Sequence, residues 1–353
     1  MKPRMTLDDI SREINISRTT IYKVINNKGT VSEQTRIKIL AALEKYNYTS
    51  NQNARNLALN RKYEIAFISF HSTSANYFDP LIKSGINMAL HEYEDDGLIV
   101  KLYESDLNNP AQQLRHIDEA VRAGITSFVI AAANTAVLKD RLEKLLADGC
   151  SVILLSKDSP DFPQLPYVGV DYYKSGLLAA EVVGKMMNFP SHLQILVSDE
   201  HRTNIDIQNR LSGFLEGLKD YPKISLLPIK HGLATDQSVE KYLSYIFTQD
   251  TPLDGIFDIT YKLETIGNVV SAYHKKDLCV VGFDLFTEIE PFIWDGTIDA
   301  IISQDISTQA YTCIKILIEE MCYNRVNDCL KQYSKLDIIM SHNLEYFLDT
   351  IYV

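Results

Sequence analysis

Residues 16–26 of the chain, Ile-Ser-Arg-Thr-Thr-Ile-Tyr-Lys-Val-Ile-Asn, combine an apolar stripe with side chains that can contact nucleic acid. Ser17 is a suitable N-cap for a helix, and Ile21, Val24 and Ile25 then fall on one face at helical spacing. The opposite face carries hydroxyl, amide and cationic groups, which hydrogen-bond to base edges and phosphates. These outward residues are Arg18, Thr19, Tyr22, Lys23 and Asn26. Their chemistry predicts contact with a DNA groove, and the alternative is an ordinary solvated helix face.

Two further helices must position this one. The first is predicted to follow the cap residue Thr6, and the third to run from Glu33 to Tyr46 after the cap residue Ser32. The residues expected to face the core are Leu7, Ile10 and Ile14 in the first helix and Ile37, Leu40, Ala41 and Leu43 in the third. Three short helices with a tight turn between the first two are typical of a helix-turn-helix domain, whose second helix enters the major groove.

The composition indicates a soluble globular protein of two or three domains. The chain has 353 residues, of which 46% are hydrophobic and 23% are charged. No apolar run reaches the roughly 18 to 20 residues that span a bilayer. The N-terminus also lacks the apolar segment of a secretory signal, so we expect a cytoplasmic protein. The five cysteines, an odd number without a CxxC pair, predict reduced thiols rather than disulfides or a zinc site.

Charge is distributed unevenly along the chain. Residues 1–61 hold 11 of the 35 basic side chains and 5 of the 46 acidic ones, a balance of +6. The remaining 24 basic and 41 acidic side chains give −17. A basic head on an acidic body predicts that only the head meets a polyanion such as DNA.

From residue 62 onward, short apolar runs alternate with helices of ten or more residues. Strands are predicted at 65–70, 98–103, 127–131, 152–155, 194–198, 224–229, 255–259, 279–283 and 338–344. This order favours parallel sheets covered on both faces, and some 270 residues exceed one such sheet. We therefore expect a small all-α helix-turn-helix head joined to an α/β core of two Rossmann-like lobes. A ligand would bind between the lobes, at the carboxyl ends of the strands.

No catalytic motif accompanies these strands. The sequence contains no GxGxxG or GxxxxGK[ST] phosphate loop, no HExxH zinc motif and no GxSxG nucleophile turn. The eight histidines have no ligand-like spacing. We therefore predict no catalytic residue, no metal and no cofactor.

Four segments of the head resemble the LacI/GalR family of regulators. They are residues 6–10, 16–26, 31–36 and 51–57, which follow the family pattern T-[LI]-x-D-[IV], [VI]-S-x-x-T-[VI]-S-[RK]-[VA]-[LI]-N, V-[SR]-x-x-T-R and N-x-x-A-R-x-L. The resemblance implies DNA contacts by Thr6, Ser17, Arg18, Thr19, Thr20, Tyr22, Lys23 and Asn26. The chain departs from the pattern at Glu13, at Tyr22 and at Ser50, where Ala, Ser and Pro are usual. Tyr22 suggests an altered operator sequence.

Residues 51–61 resemble the hinge of the same family. The resemblance implies a short helix that folds against the minor groove in a dimer, with Leu57 as an apolar wedge and Arg55 near phosphate. Asn51 and Ala54 belong to the same expected contact, and the alternative is a plain linker. The predicted boundaries are a DNA-binding domain at 1–50, a hinge at 51–61 and an effector-binding and dimerisation domain at 62–353.

The body resembles the type 1 periplasmic sugar-binding fold that this family carries. Residues 76–79, 168–176, 210–214, 281–284 and 301–305 carry the resemblance. It implies an effector site in which Phe78 stacks on a sugar ring, Arg210 donates a fork of hydrogen bonds and Asp284 accepts from two hydroxyls. The other implied contacts are Asn76, Asp79, Gln304 and either Tyr261 or Thr260. Arg210 and Asp284 could instead cap helices or pair across a lobe.

One departure in the body bears on the ligand. Ser156-Lys157-Asp158 stand where such sugar binders often have Asp-Arg after the fourth strand. We include Ser156 and Lys157 in the expected effector site, and their identity leaves room for a charged or modified ligand.

The sequence therefore predicts a sequence-specific transcriptional regulator, most simply a repressor. A small sugar-like effector bound between the lobes would control its affinity for a near-palindromic double-stranded operator. Because no heptad helix follows the last strand, we expect a homodimer. The alternatives are a solute-binding protein without a regulatory role and an enzyme on the same fold.

Overall fold

The computed structural model separates the chain into two compact units, Met1–Asn60 and Arg61–Val353, which we call the head and the body. The structure describes residues 7–25, 30–46, 62–71, 78–107, 109–187, 189–198, 204–325, 327 and 329–348.

The described part of the head contains three helices around one small core. They are α1 (Leu7–Ile14), α2 (Arg18–Ile25) and α3 (Glu33–Lys45). The core consists of Ile10, Ile14, Ile21, Val24, Ile39 and Ala42. The predicted caps begin α2 and α3, since the Ser17 hydroxyl accepts from the Thr20 amide at 3.2 Å and the Ser32 hydroxyl accepts from the Thr35 amide at 3.3 Å. Thr6 lies outside the described residues.

The predicted core face of α3 is wrong. Ile37 and Leu40 have 59% and 48% of their surface exposed, and Ala41 is also exposed. Ile39 and Ala42 are buried against α1 and α2 instead, while Leu43 is half-buried. Two apolar stripes overlap on this helix, and the position of the other two helices selects the one that is buried.

The first lobe of the body is a parallel six-stranded sheet in the order β11-β5-β4-β3-β1-β2. Its strands are β1 (Tyr63–His71), β2 (Leu98–Asp106), β3 (Ser127–Ile130), β4 (Ser151–Leu155), β5 (Tyr167–Gly169) and β11 (Lys331–Tyr333). The covering helices are α4 (Phe78–Glu92), α5 (Pro110–Arg122), α6 (Thr135–Ala147) and α12 (Ile306–Tyr323). Helices α4 and α12 pack together on the sheet; Gly85 permits this approach, because a Cβ there would lie 2.2 Å from the Ser307 carbonyl oxygen.

The second lobe repeats this architecture in the order β12-β10-β9-β8-β6-β7, with only β12 antiparallel to its neighbour among the described strands. Its strands are β6 (Ser191–Val197), β7 (Ile224–Leu226), β8 (Gly255–Ile259), β9 (Cys279–Phe283), β10 (Ala300–Ser303) and β12 (Asp337–Ile339). Its helices are α7 (Tyr172–Met186), α8 (Ile205–Gly217), α9 (Asp236–Phe247), α10 (Leu263–Ala272) and α11 (Glu290–Trp294). A short helix α13 (Glu345–Leu348) follows the last strand.

The chain crosses between the lobes three times, after β5, after β10 and after β11. The predicted fold class, a helical head with a two-lobed α/β core, is confirmed. Two strands are shorter than predicted. β7 ends at Leu226 rather than near residue 229, since Pro228 has no amide hydrogen to donate to a ladder. β12 ends at Ile339 rather than at residue 344, because residues 341–344 form a turn.

Candidate functional site

The described face of α2 presents the side chains predicted to contact DNA. Arg18, Thr19 and Lys23 are exposed and Tyr22 has 38% of its surface exposed, whereas Thr20 is half-buried. Ile21 and Val24 on the opposite face are in the core. The helix therefore carries its polar groups outward on a packed apolar base, as groove contact requires.

Acidic residues of the first helix border this face. Arg18 lies 3.4 Å from the Asp8 carboxylate, and both side chains are more than half exposed. An exposed pair of this kind contributes little to stability, so phosphate can replace the carboxylate at small cost. The predicted contacts Thr6, Asn26, Asn51, Ala54, Arg55 and Leu57 lie outside the described residues, and they stay predictions.

In the body, left-handed backbone marks the carboxyl ends of four strands. Ser156 follows β4 with φ 59°, Asp284 follows β9 with φ 64°, and Tyr261 and Asp305 lie just beyond β8 and β10 with φ 63° and 52°. Such conformations cost about 1 to 3 kcal/mol each and cluster at ligand sites. Three of these four residues belong to the predicted effector site, and the fourth, Asp305, directly follows the predicted residue Gln304.

Arg210 is the centre of the buried site. It lies on α8 with 1% of its surface exposed, and the centre of its guanidinium lies 3.7 Å from the Phe283 ring centroid. Its Nε donates to the Ser175 hydroxyl at 3.2 Å, its Nη2 donates to Gln304 Oε1 at 2.9 Å, and its Nη1 has no partner among the described residues. A buried donor without a partner is costly unless a ligand supplies an acceptor.

The position of Arg210 depends on the close packing of α7 and α8. A Cβ on Gly176 would lie 2.0 Å from the Arg210 carbonyl oxygen, and one on Gly213 would lie 2.0 Å from the Tyr173 carbonyl oxygen. Only glycine therefore allows the two helices to approach far enough for the Ser175 hydroxyl to reach the guanidinium.

Gln304 links Arg210 to Asp284. Its Nε2 donates to both Asp284 carboxylate oxygens, at 2.9 and 2.8 Å, while its Oε1 accepts from Arg210. All three side chains are buried. The structure thus brings together three of the predicted effector residues, although each of them is also engaged within the protein.

Gln309 extends this network into the first lobe. Its Nε2 donates to the Gln304 carbonyl oxygen at 2.7 Å, and its Oε1 accepts from the Ser156 hydroxyl at 2.9 Å. The Tyr172 hydroxyl donates to the Ser156 carbonyl oxygen at 2.7 Å. A continuous chain of hydrogen bonds therefore runs from the end of β4 in one lobe to the end of β9 in the other.

Asp206 is a site residue that the sequence reading missed. It lies on the first turn of α8, four residues before Arg210, and only 6% of its surface is exposed. Burial raises the pKa of Asp206 to about 6, and the charges of Lys157 and Arg210 oppose that rise. The i, i+4 spacing to Arg210 was the available signal, since it places both side chains on one helix face.

Two predicted residues lie in the first lobe, at the start of α4. The Phe78 ring stacks on Phe70, with centroids 4.9 Å apart, and only 9% of Phe78 is exposed. Asp79 Oδ1 is buried with no hydrogen-bond partner among the described residues. Burial and the charge of Glu104 raise the pKa of Asp79. No direct contact joins these two described residues to the Arg210 network, and Asn76 lies outside the described residues.

The remaining candidates lie at the end of β8. Thr260 is buried and its hydroxyl donates to Asp258 Oδ1 at 2.6 Å, so this side chain is engaged within its own loop. Burial raises the pKa of Asp258 to about 6, against the hydrogen bonds from Thr260. The half-buried Tyr261 lies near Tyr172, whose pKa is raised by burial, by Asp206 and, more weakly, by Tyr261.

The described residues show neither a group of histidine, cysteine and acidic side chains that could hold a metal ion nor a helix long and apolar enough to cross a membrane.

Comparison with known proteins matches each of the two units to a known domain family. Residues 65–343 match the periplasmic binding protein domain, and residues 6–51 match the bacterial regulatory proteins of the lacI family. The body is similar to a sugar-binding protein of a sugar ABC transporter from Bacillus halodurans, with a TM-score of 0.69 and 17% identity over 80% of this chain and 99% of that one. At this identity the likeness shows the fold alone, a two-lobed α/β architecture.

Two of the relatives found are named as repressors. The sucrose operon repressor of Streptococcus mutans is 24% identical over 323 residues, which are 89% of this chain and 92% of that protein. A Bacillus subtilis protein named "Probable HTH-type transcriptional repressor ExuR" is 38% identical over 91 residues, 25% of this chain and 27% of that protein.

The chain combines a head of the lacI family of bacterial regulatory proteins with a body that belongs to the periplasmic binding protein domain family. The predicted family and the predicted class of function, a sugar-responsive DNA-binding transcriptional repressor, are confirmed. The relatives found are regulators and sugar-binding proteins, not enzymes, and the lacI-type head disfavours the alternative of a solute-binding protein without a regulatory role.

Proposed function

We propose that the protein represses transcription as a cytoplasmic homodimer, without catalysing a reaction, and that a small sugar-like molecule in the cleft controls its affinity for a near-palindromic operator. The observation that carries this proposal is the network of Arg210, Gln304 and Asp284 at the junction of the lobes. A polyol bound there can exchange hydrogen bonds with groups that join both lobes.

The head supplies the operator contacts in this proposal. Thr19 and Tyr22 on the exposed face of α2 would meet base edges, and Arg18 and Lys23 would meet guanine or phosphate. Ser17 and Thr20, which hydrogen-bond to each other at the start of α2, would contact phosphate near the helix N-terminus. Thr6 and Asn26 complete the proposed set.

The cleft supplies the effector contacts. Arg210 Nη1 would donate to an oxygen of the ligand, and Asp284 and Gln304 would exchange hydrogen bonds with its hydroxyls. Phe78 would cover an apolar face of the ring, and Asp79 Oδ1 would accept from a hydroxyl. Asn76, Ser156, Lys157 and Tyr261 complete the proposed contacts.

Control would follow from a difference in effector affinity between two arrangements of the lobes. A ligand that binds one arrangement more tightly shifts the equilibrium by the ratio of its two affinities. We propose that this shift reaches the DNA through residues 51–61, where Asn51, Ala54, Arg55 and Leu57 would contact the operator. Half-sites would then lie about one helical turn apart.

The test is fluorescence anisotropy of the full chain with DNA from its own promoter region. We expect binding that weakens steeply as salt concentration rises, and a change in affinity on addition of a sugar or sugar derivative. Shuffled DNA of the same length is the control. Binding that is equal for both DNAs, or that no such compound changes, would refute the proposal.

A further inference from the structure

The buried charge of Arg210 has only neutral partners. Its guanidinium donates to the Ser175 hydroxyl and to the Gln304 amide oxygen, and lies against the rings of Phe283 and Tyr172. In the described part of the chain, no carboxylate oxygen lies within 4.0 Å of its nitrogens. A buried cation without a counter-ion is strongly unfavourable. The site is therefore electrostatically prepared for an anion.

Lys157 is a second cation without an acidic partner. It follows β4 in the first lobe, and its Nζ donates to the Ala133 carbonyl oxygen at 3.2 Å. Over the described ranges no carboxylate lies within 4.0 Å of this nitrogen. The neighbouring Asp158 is engaged elsewhere, with Lys331 at 2.6 Å.

Lys157 and Arg210 act on the same corner of the cleft. The Tyr172 hydroxyl donates to the carbonyl oxygen of Ser156, the residue before Lys157, at 2.7 Å, and the Arg210 guanidinium lies 5.0 Å from the centroid of the Tyr172 ring. Both positive charges also favour the ionised form of Asp206. Neither cation forms an ion pair with Asp206, and burial weakens that acid. Asp206 therefore offsets part of the positive charge of this corner and leaves the nitrogens of both cations without an ion pair.

The other buried acids of the cleft do not neutralise this corner directly. Asp284 directs both carboxylate oxygens to the Gln304 amide, which stands between it and Arg210. Asp79 interacts electrostatically with Glu104, Lys83 and His71 in the first lobe rather than with Lys157 or Arg210. No carboxylate of the described residues therefore pairs directly with Lys157 or Arg210, although Asp284, one amide away, lowers the net positive charge around Arg210.

We propose that the effector is an acidic sugar derivative, whose carboxylate or phosphate binds between Lys157 and Arg210. This inference rests on the proposed effector site. An acid oxygen would accept from Arg210 Nη1 in the second lobe and from Lys157 Nζ in the first, and charge-assisted bonds are about twice as strong as neutral ones. The acid group would also hold the lobes together, because its two partners belong to different lobes.

The test compares matched neutral and acidic ligands on the full chain. The probes are D-glucose, D-glucuronate and D-glucose 6-phosphate, with the corresponding D-galactose set, measured by thermal shift and calorimetry. We expect at least one acidic member to bind roughly 10- to 100-fold more tightly than its neutral parent. The carboxylate and phosphate members distinguish the two acids. A neutral parent that binds as tightly, or a panel in which no acidic member binds, overturns the inference.

Lys157→Gln tests the proposed position of the acid group. We expect this variant to lose about 10-fold in affinity for the acidic ligand and clearly less for the neutral parent, because glutamine can still hydrogen-bond to a hydroxyl but carries no charge. Lys144→Gln removes the same charge from an exposed position on α6 in the same lobe and should change neither affinity. Equal losses for both ligands, or no loss, would overturn the inference. A neutral sugar that alters operator binding would leave the proposed function standing while removing this inference.

Discussion

The head and the body place their functional polar groups in opposite environments. In the head, the core is six apolar residues, and the side chains proposed to read DNA are outside it, with Tyr22 38% exposed. In the body, the equivalent side chains are inside: Arg210 on α8 is 1% exposed, and Asp284, which follows β9, is 3% exposed. The first arrangement leaves the groups hydrated, and the second removes them from water.

This difference in exposure predicts how each unit responds to solution conditions. Exposed charges interact with a polyanion through long-range attraction, which salt screens. Buried groups interact at short range and are costly to leave unpaired, which gives chemical selectivity. We therefore expect the head to be sensitive to ionic strength and the body to be sensitive to single hydrogen bonds.

The largest expected effect is that of Arg210→Met on effector binding. Removing the buried guanidinium deletes the donors that a ligand oxygen would meet, so affinity should fall roughly 100- to 1000-fold. Calorimetry with the tightest compound of the acidic panel measures it. Arg115→Met, on an exposed part of α5, is the matched control and should bind normally. An unchanged affinity in Arg210→Met would remove Arg210 from the site.

The next effect concerns the core of the head. Ile39→Ala should destabilise the head by about 2 to 4 kcal/mol, because the side chain is fully buried. Ile37→Ala removes the same atoms from a position that is 59% exposed and should cost less than about 0.5 kcal/mol. Hydrogen exchange of the α2 and α3 amides in the full chain measures both. Equal effects would contradict the packing of α3.

The third effect is the pH dependence caused by Asp206. Burial raises the pKa of Asp206 to about 6, so the folded state binds this proton more tightly than the unfolded state does. The stabilisation of the folded state by protonated Asp206 is complete below the unfolded pKa and is lost as pH rises through 6. Asp206→Asn should therefore be more stable than the natural chain by about 2 to 3 kcal/mol at pH 7.5, and the gain should shrink toward pH 4.

Urea unfolding followed by the fluorescence of Trp294, the single tryptophan and a residue of the body, measures this difference. Asp161→Asn, at an exposed carboxylate paired with Lys139, is the control and should show little change. A gain for Asp206→Asn that did not depend on pH would show that Asp206 is not the titrating group.

The smallest expected effect is that of a single head charge. Lys23→Gln should weaken operator binding by about 1 kcal/mol and reduce the slope of log affinity against log salt by about one unit, if its ammonium contacts one phosphate. Lys241→Gln in the body is the control, since that side chain is exposed in the other unit. An equal change in the salt slope of operator binding in both variants would contradict the proposal that only the head contacts DNA.

Local sequence signals predicted most of the helices and the longer strands. Ser17 and Ser32 located the starts of α2 and α3 because a capping hydroxyl acts within three residues. The buried face of α3 could not be chosen in the same way, since Ile37 and Leu40 share helical spacing just as Ile39 and Ala42 do. Only the packing of the other helices decides between the two stripes.

The same limit applies to the site. The segments that resemble the family included Arg210, Asp284 and Gln304, which the structure brings into contact. They did not include Gln309. Its side-chain amide accepts from Ser156, which lies 153 residues earlier in the sequence, and donates to the carbonyl oxygen of Gln304, which lies 5 residues earlier. Contacts of that kind depend on how α12 packs on the first lobe after the chain leaves β10 in the second, and no local pattern encodes them.

The most direct test of the account measures operator affinity by anisotropy at several salt concentrations, with and without the tightest acidic ligand, for the natural chain, Lys23→Gln and Arg210→Met. We predict that Lys23→Gln lowers the salt slope and keeps the fold-change caused by the ligand. Arg210→Met should bring that fold-change close to one at the same ligand concentration and keep the salt slope. If Arg210→Met kept the full response to the ligand, or if Lys23→Gln abolished it, the division between a head that binds DNA and a body that binds the effector would be contradicted.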